Sequence, residues 1–329
     1  MTQVTTTTTT LTIGIDLGDR FSHFCALDAE GEVLEEGRLR TTPAAFAQRF
    51  CGIPPTRIAI EAGTHSPWVC AQLQDAGHEV LVANPGKLRL IYKSDNKTDR
   101  FDAEKLARVA RMDPRLLSPI QHREETVRAD LAVLRARNCL VASRTQLVNH
   151  VRGALKSFGA RLPRCSTKSF AHKTAEQIPE ALRAAMMPLL EMIELLTVRI
   201  ARYENSMQQL AEERYPVTET LRQVNGVGPV TSLAFVLTLQ DCDRFRDSRS
   251  VGAYIGLRPK SDQSGERNPE LRITRAGDRD LRCLLVQSAQ YILGPFGKDS
   301  DLRRVGLALA ARGSKVAKRK AVVAVARKL

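Results

Sequence analysis

The sequence contains no apolar run that approaches the length of a membrane span, and its first residues, MTQVTTTTTT, lack the basic and apolar regions of a signal peptide. It also lacks any CxxC pair, because its 7 cysteines are scattered along the chain. An odd number of scattered cysteines predicts reduced thiols and excludes both a disulfide framework and a cysteine-held zinc site. We therefore expect a cytoplasmic protein without a membrane partner, in which residues 1–10 form a disordered arm.

Acidic residues are scarce relative to basic ones. The 50 Lys+Arg exceed the 36 Asp+Glu and give a formal net charge of +14 in a chain of 329 residues. Residues 1–110 carry a net −2, residues 111–215 carry +6 and residues 216–329 carry +10. A basic surface can serve solubility alone, but a surplus so unevenly distributed predicts a nucleic-acid partner.

The first third of the sequence predicts an α/β fold. Strands are expected at 11–16, 22–28, 32–39, 57–61 and 79–83, with helices at 43–50, at 66–76 and from Asp99 onward. Three antiparallel strands followed by alternating helices and strands are the element order of a ribonuclease H-like sheet.

The remainder predicts helices. Residues 125–158 and 177–214 place apolar residues three and four apart, and Gly159 and Pro163 interrupt them. This pattern predicts an antiparallel helical hairpin or coiled coil, followed by a mostly helical region. We therefore predict an α/β plus α protein with three domains: a ribonuclease H-like domain (11–115), a coiled-coil helical hairpin (116–215) and a mostly helical domain (216–329).

Four carboxylates occupy positions at which a metal site could form. Asp16 and Glu61 each end a predicted strand, whereas Asp99 and Asp102 lie three apart in the first turn of a helix and so share a face. Each also has a plain interpretation as a turn residue, a rim charge or, for the pair, a helix cap that suits the helix dipole. Together they form a ligand set for two Mg²⁺ or Mn²⁺ ions, about 3.5–4 Å apart, that act on a phosphodiester.

The segment LRQVNGVGPVTSL predicts a helix-hairpin-helix. Gly226 and Gly228 lie between two helical stretches. Glycines at such a turn let backbone N–H groups at a helix N-terminus reach a nucleic-acid phosphate. A simple turn between helices is the alternative.

A polar, glycine-bearing segment between residues 256 and 277 contains the candidate nucleophile. Ser264 stands in a Ser-Gly pair and is favoured over Ser261. All 6 histidines lie upstream of this segment, so no local Ser–His pair is available to activate a serine. Three arginines follow that could contact a nucleic-acid phosphate: Arg267, Arg272 and Arg275.

These motifs, in this order, resemble the DEDD-type insertion-sequence transposases of the Piv/MooV invertase group. The resemblance runs from about residue 11 to the end and rests on IGID, IEAGTHSPW, Asn84–Pro85, NKTDRFDA, the hairpin glycines, GLRP and SG…ITRAG…LR. It implies a RuvC-like catalytic domain (11–115), a coiled coil (116–215) and a C-terminal transposase domain (216–329) with a catalytic serine. Carried over residue by residue, it implies an acidic, metal-binding tetrad and a serine nucleophile, namely Asp16, Glu61, Asp99, Asp102 and Ser264.

The resemblance also implies a function and partners. A transposase of this group is a DNA recombinase that cuts and rejoins donor and target DNA, guided by a noncoding (bridge) RNA that its element encodes. Because recombination of two duplexes requires several active sites, we expect a homodimer that assembles into a tetramer, associated with a bacterial nucleoid. The sequence departs from the family pattern at NGVG, where Pro-Gly is more typical. It also ends within the amphipathic pattern of KAVVAVARKL, so we expect a shortened final helix.

Three other functions fit parts of the sequence. A RuvC-like junction-resolving or hydrolytic nuclease would use water in place of the serine. An actin-like sugar kinase would use GIDLG as a phosphate loop, but no second phosphate or adenosine motif accompanies it. A non-catalytic nucleic-acid-binding scaffold would need the basic surface but not the acids.

Overall fold

The computed structural model describes residues 11–86, 99–265, 267, 269 and 271–329, so the predicted arm at 1–10 lies outside the described residues. The chain divides into two compact units, residues 1–122 and residues 123–329. In the described ranges, no helix combines the length and the apolar character that crossing a bilayer requires.

The first unit is built on one mixed sheet of five strands. These are β1 (Thr12–Asp16), β2 (Phe21–Leu27), β3 (Val33–Arg40), β4 (Arg57–Glu61) and β5 (Glu79–Ala83). Their order is β3-β2-β1-β4-β5, with β1, β2 and β3 antiparallel and β1, β4 and β5 parallel. The predicted order of strands and helices is confirmed. However, β2 ends at Leu27 rather than at residue 28, because the Asp28 carboxylate accepts three backbone N–H groups and starts a turn.

Within the described residues, three helices cover the two faces of this sheet: α1 (Pro43–Phe50), α2 (Ser66–Asp75) and α3 (Asp99–Met112). Strand residues alternate between the faces. Ile13, Ile15, Ile58 and Ile60 pack in the core that includes Phe46 and Phe50 of α1 and Val69 and Leu73 of α2. The opposite face carries small residues, such as Gly14 and Ala59, and packs against α3. Small side chains therefore bring α3 close to the sheet.

The second unit begins with the predicted helical hairpin, formed by α4 (Glu125–Lys156) and α6 (Glu180–Arg214), with the short α5 (Phe170–Thr174) between them. Contacts of Asp130 with Arg214, and of Arg144 with Thr197, show that the two long helices are antiparallel. The predicted start of α6 at 177 is wrong by three residues. Ile178 is extended, because the residue before a proline avoids the helical region.

In the described part of the second unit, six further helices follow: α7 (Val217–Arg222), α8 (Pro229–Leu239), α9 (Ser248–Tyr254), α10 (Arg279–Leu293), α11 (Asp301–Ala310) and α12 (Lys315–Lys328). The C-terminal region is therefore mostly helical, as predicted. Its core includes Leu237, Leu285 and Val325, and it continues into the base of the hairpin through Leu131 and Met207. The division into three domains stays a prediction, since the hairpin base and the last helices share one core.

Candidate active site

Asp16 and Glu61 lie side by side at one edge of the sheet. They end the adjacent parallel strands β1 and β4, which pair Ile15 with Ile60 in the preceding position. Each acid stands two residues after a small residue that faces α3, namely Gly14 or Ala59. Because strand side chains alternate with a period of two, both carboxylates project on the α3 side of the sheet.

Gly14 sets the distance between α3 and β1. A Cβ atom at this position would lie 2.1 Å from the carbonyl oxygen of Ala103 and 2.5 Å from the backbone nitrogen of Ala107. Only glycine therefore permits the observed approach of the helix to the strand. Asp102 immediately precedes this contact, so close packing fixes its Cα relative to Asp16.

The Asp102 side chain is largely buried, with 13 % of its area exposed. Its Oδ1 atom is buried and accepts no hydrogen bond from a described residue, and the Lys105 ammonium lies near it, with Nζ 3.8 Å away. A buried carboxylate oxygen that accepts no hydrogen bond is costly unless a cation compensates its charge. The position therefore fits a ligand of a metal ion.

Asp99 lies at the same edge but is exposed. His23 pairs directly with Asp16 across β1 and β2, and its Nδ1 atom lies 3.6 Å from Oδ2 of Asp99, whose side chain is 72 % exposed. His23 thus lies between two acids of the tetrad. Whether Asp99 also caps α3 is untested, because residues 87–98 lie outside the described residues.

A hydrogen-bonded chain ties the loop after β1 to the loop after β4. The Trp68 indole Nε1–H donates to Nδ1 of His65 (3.2 Å), and Nε2 of His65 lies 3.5 Å from Oδ1 of Asp19. Because an indole can only donate, Nδ1 must accept, and a neutral His65 carries its proton on the nitrogen that faces Asp19. Both loops border the edge that carries Asp16 and Glu61.

The four acids lie on the same side of the sheet, but no three of their carboxylate oxygens lie within 4.8 Å of one another. Over the described parts of the chain, three possible ligand atoms lie within 4.8 Å of one another only at Asp241, Cys242 and Asp243. That exposed group is a turn, in which Asp241 accepts the backbone N–H of Asp243.

Ser264 lies at the tip of a short two-stranded ribbon in the second unit. Its backbone exchanges two hydrogen bonds with Arg267, at 3.2 and 3.1 Å, around a turn in which Gly265 has a φ of +55°. Ser261 and Ser264 are both exposed, and neither hydroxyl makes a hydrogen bond to any residue that the structure describes. Arg267, Arg272 and Arg275 are exposed on the same ribbon.

The base of this ribbon is tightly constrained. A Cβ on Gly256 would lie 2.1 Å from the Ala276 carbonyl oxygen, and one on Gly277 would lie 2.0 Å from that of Tyr254. Nη1 of Arg282, on α10, donates to the Ile255 and Ala276 carbonyls at 2.8 and 2.7 Å. Arg282 therefore joins the two ends of the segment that carries Ser264.

Arg275 adopts a left-handed backbone conformation with a φ of +58°. Its backbone N–H donates to the Gly256 carbonyl at 3.1 Å. A non-glycine residue in this region carries strain of about 1 kcal/mol or more, so the surrounding structure must hold it there. The ribbon base therefore fixes the backbone at the point from which the Arg275 side chain extends.

The two predicted hairpin glycines have different surroundings. Gly226, with a φ of +91°, packs against α10, where a Cβ would lie 2.9 Å from Cγ1 of Ile292. Gly228 precedes α8 and has open space in front of it. Both line a cleft of about 420 Å³ that Tyr291 also borders. Gly228 is therefore the glycine at which a phosphate could approach the backbone.

The sequence indicated the acids, but it did not reveal the residues that position the two candidate sites. Gly14 was visible only as a glycine near Asp16, and His65 and Trp68 only as letters of the IEAGTHSPW motif. Arg282 is the arginine of the final LR pair in the SG…ITRAG…LR motif, and the sequence assigned no role to it. Side-chain contacts between distant segments were needed to give these residues a function.

Comparison with known proteins agrees with this organisation. Residues 13–159 match a family model for DEDD transposases of the IS110 type, and residues 218–299 match one for transposases of the IS116/IS110/IS902 family. The first match contains the four acids, and the second contains Gly226, Gly228 and Ser264. The protein is thus of the transposase class.

Relatives support the same conclusion over nearly the whole chain. The chain is 28% identical over 298 residues to a probable family 20 transposase of Pseudomonas aeruginosa, covering 88% of this chain and 86% of the relative. It is 29% identical over 286 residues to the transposase for insertion sequence element IS1328 of Yersinia enterocolitica, covering 85% and 83%. It is 27% identical over 303 residues to the transposase for IS1111A of Coxiella burnetii, covering 90% and 81%. The chain belongs to the IS110/IS116 family of insertion-sequence transposases.

Proposed function

We propose that this transposase cuts and rejoins DNA with two sets of residues: the tetrad Asp16, Glu61, Asp99 and Asp102, and the nucleophile Ser264. The observation that carries the proposal is the gathering of the four acids on the α3 side of one sheet edge. Among the described residues, the buried Oδ1 of Asp102 accepts no hydrogen bond and has only the Lys105 ammonium nearby, at 3.8 Å, which supports a cation at this position.

Asp16, Glu61, Asp99 and Asp102 would hold the metal. Carboxylate oxygens are the ligands that Mg²⁺ and Mn²⁺ prefer in proteins. When bound, such ions stabilise the charge that develops on the oxygens of a phosphodiester under attack. The chain's own contribution is to keep Asp102 in place through the close packing of α3 at Gly14.

Ser264 would carry the covalent step. Its Oγ forms a bond to phosphorus while the bond from phosphorus to a sugar oxygen breaks, and the serine proton balances the one that the sugar oxygen takes up. The resulting phosphoserine ester conserves the energy of the broken bond, so rejoining needs no external energy source. Arg267, Arg272 and Arg275 are exposed on the same ribbon and can neutralise charge on the phosphate.

The strand order supports a ribonuclease H-like assignment for the first unit, and the antiparallel hairpin supports a coiled coil. Assembly into a homodimer, and from there a tetramer, would use the hairpin. Met192, Leu195 and Val198 of α6 are each more than 45 % exposed and follow one another at intervals of three residues. Replacing all three with Gln should shift the mass measured by light scattering toward that of a monomer.

An element-encoded guide (bridge) RNA would supply the choice of donor and target DNA, and the protein would act in the cytoplasm at the nucleoid. The net charge of +14 supports a nucleic-acid partner of this kind. Sequencing the RNA that copurifies with the protein tests this. Recovery of one structured RNA from the flank of the element is expected, and recovery of bulk cellular RNA alone would contradict it.

The acids are tested by substitution. Asp16→Ala, Glu61→Ala and Asp102→Ala should each lower recombination in Mg²⁺ by at least about 10³-fold, because each removes a ligand that stabilises the transition state. DNA binding should stay near wild type, since no cation is lost. Asp75→Ala, a change at an exposed acid of α2, is the matched control and should recombine normally. Full recombination by Asp102→Ala would refute the metal site.

A hydrolytic nuclease is the alternative that the same geometry allows, since Ser264 lies at an exposed tip without a hydrogen-bonded base among the described residues. The two functions differ in one product. A recombinase leaves a protein–DNA adduct that survives denaturation, whereas a nuclease cuts DNA without one.

A further inference from the structure

The positive charge of the second unit is concentrated at its end. No acidic residue follows Asp301, and residues 302–329 contain 9 Lys+Arg, so this segment accounts for most of the surplus of the last third. A solvated surface that serves solubility usually mixes both signs of charge. A segment with only one sign implies a partner of the opposite sign.

Three of these cations serve the fold itself. Arg303 donates to the carbonyls of Ile292 and Gly294, Arg304 pairs with Asp299 and Asp301, and the side chain of Arg327 packs at Gly252. These three arginines are therefore engaged in contacts within the protein and are less available to a ligand than the remaining cations.

Five other cations lie within nine residues, in what we call the basic segment: Arg312, Lys315, Lys318, Arg319 and Lys320. All five are exposed. Within the described part of the chain, Arg312, Lys315, Lys318 and Arg319 form no ion pair with an acid. Their charges are therefore not neutralised by the protein around them.

The basic segment also projects from the core. Helix α12 begins after Ser314, whose Oγ accepts the backbone N–H of Ala317 at 2.9 Å. The start of the helix is exposed even at the apolar Val316 (57 %), whereas Ala321 and Val325 further along it are buried. The N-terminal turns of α12 therefore carry exposed cations, and the rest of the helix is anchored in the core.

This arrangement is unfavourable for an isolated protein. Lys315, Lys318 and Arg319 are spaced by three and four, which places like charges next to one another on one face. They also stand at the positive end of the helix dipole. A bound polyanion removes both penalties at once.

The dimensions fit duplex DNA. The exposed helical part, residues 315–320, is about 9 Å long at 1.5 Å per residue. Over that length, duplex DNA carries roughly five phosphate charges. We propose that the basic segment binds the phosphate backbone of duplex DNA, separately from the acids and from Ser264. This proposal rests on the proposed function only because transposition brings DNA to the protein.

The test uses the full chain and a nonspecific duplex. The triple variant Lys315→Gln, Lys318→Gln and Arg319→Gln should lower affinity and reduce the slope of log binding constant against log salt by about 2 to 3 units, about 0.9 for each lost contact. The matched control removes three exposed cations elsewhere, through Lys173→Gln, Arg199→Gln and Arg202→Gln, and should leave the slope near wild type. Unchanged melting temperatures would show that both variants are folded.

Three outcomes would overturn the proposal: an unchanged slope in the first variant, an equal reduction in both variants, or a reduction seen only with an RNA probe of the same length. Asp102→Ala separates this result from the proposed function. If the acids prove dispensable for recombination while the slope still falls in the first variant, the DNA contact stands and the catalytic proposal fails.

Discussion

The two units present their candidate catalytic residues in opposite ways. In the first unit, Asp16, Glu61 and Asp102 are attached to a packed sheet and helix, and the approach of α3 at Gly14 leaves no room for adjustment. In the second unit, Ser264 occupies an exposed turn whose hydroxyl has no partner among the described residues. Packing in the first unit therefore fixes the backbone positions of the acids, whereas the second unit leaves the Ser264 hydroxyl exposed.

Charge follows the same contrast. The unit with the acids is slightly acidic over residues 1–110, at −2, whereas residues 216–329 carry +10. The acidic site would need cations before a phosphate could approach it, and the basic unit attracts nucleic acid directly. Under the proposed function, metal chemistry would therefore belong to the first unit and most of the nucleic-acid binding to the second.

The largest effect is expected from a substitution at Gly14, where α3 packs against the sheet that carries the acids. Gly14→Ala places a methyl group against the backbone of α3, so we expect the free energy of unfolding to fall by about 1–3 kcal/mol. Displacement of Asp102 should lower recombination by at least about a hundredfold. Gly52→Ala is the control, because a Cβ there meets nothing within 4 Å. Chemical denaturation and a recombination assay measure both effects, and a fully active Gly14→Ala would contradict the positioning role.

The ribbon should be loosened by Arg282→Ala. The change leaves the carbonyls of Ile255 and Ala276 without their donor, and misplacement of Ser264 should slow covalent adduct formation by about tenfold to a hundredfold. Arg279→Ala removes an exposed charge from the same helix and should have little effect. DNA affinity measured in parallel separates positioning from binding. Equal rates of adduct formation in Arg282→Ala and Arg279→Ala would show that Arg282 does not position Ser264.

The smallest effect is expected at the base of the hairpin. The Tyr215 hydroxyl donates to Oδ2 of Asp130 at 2.5 Å, and burial together with this bond raises the pKa of Tyr215 to about 12. Tyr215→Phe should lower the free energy of unfolding by about 1–2 kcal/mol. Tyr203→Phe, on α6, is the control.

The pH dependence of this effect has a definite sign. Because the folded pKa of Tyr215 lies above the unfolded value near 10, the stabilisation is fully present below pH 10 and is lost as pH rises through about 12. The difference between wild type and Tyr215→Phe should therefore be the same at pH 6 and pH 9. A difference that disappears between those values would contradict the assignment.

Much of the first unit could be predicted because its signals are local. Apolar alternation marks each strand, and acids that end strands or share a helical turn are visible in the sequence. The contact of Gly14 with Ala103 spans 89 positions, and no periodicity reveals it. Likewise, the GLRP and ITRAG motifs carry glycines, but only the structure shows that Gly256 and Gly277 meet at the base of one ribbon.

The hairpin illustrates a different limit. Its apolar spacing predicts two antiparallel helices, but it does not show that their middle is polar. Arg144 is buried there beside Thr197, and desolvation lowers the pKa of Arg144. Arg137 pairs with Glu204 one layer away. Charged residues in a predicted apolar seam look like exposed positions until both helices are seen together.

The most direct test of the account asks whether the acids and the serine act in one reaction. Wild type, Ser264→Ala, Ser261→Ala and Asp102→Asn are incubated with donor DNA in Mg²⁺, and protein–DNA adducts that survive denaturation are counted. We predict adducts in wild type and in Ser261→Ala, and none in Ser264→Ala or Asp102→Asn, although all four bind DNA. Adducts that persist in Ser264→Ala would contradict the serine mechanism. DNA that wild type cuts without forming an adduct would contradict it as well. Undiminished adducts in Asp102→Asn would show that the acidic site has no part in it.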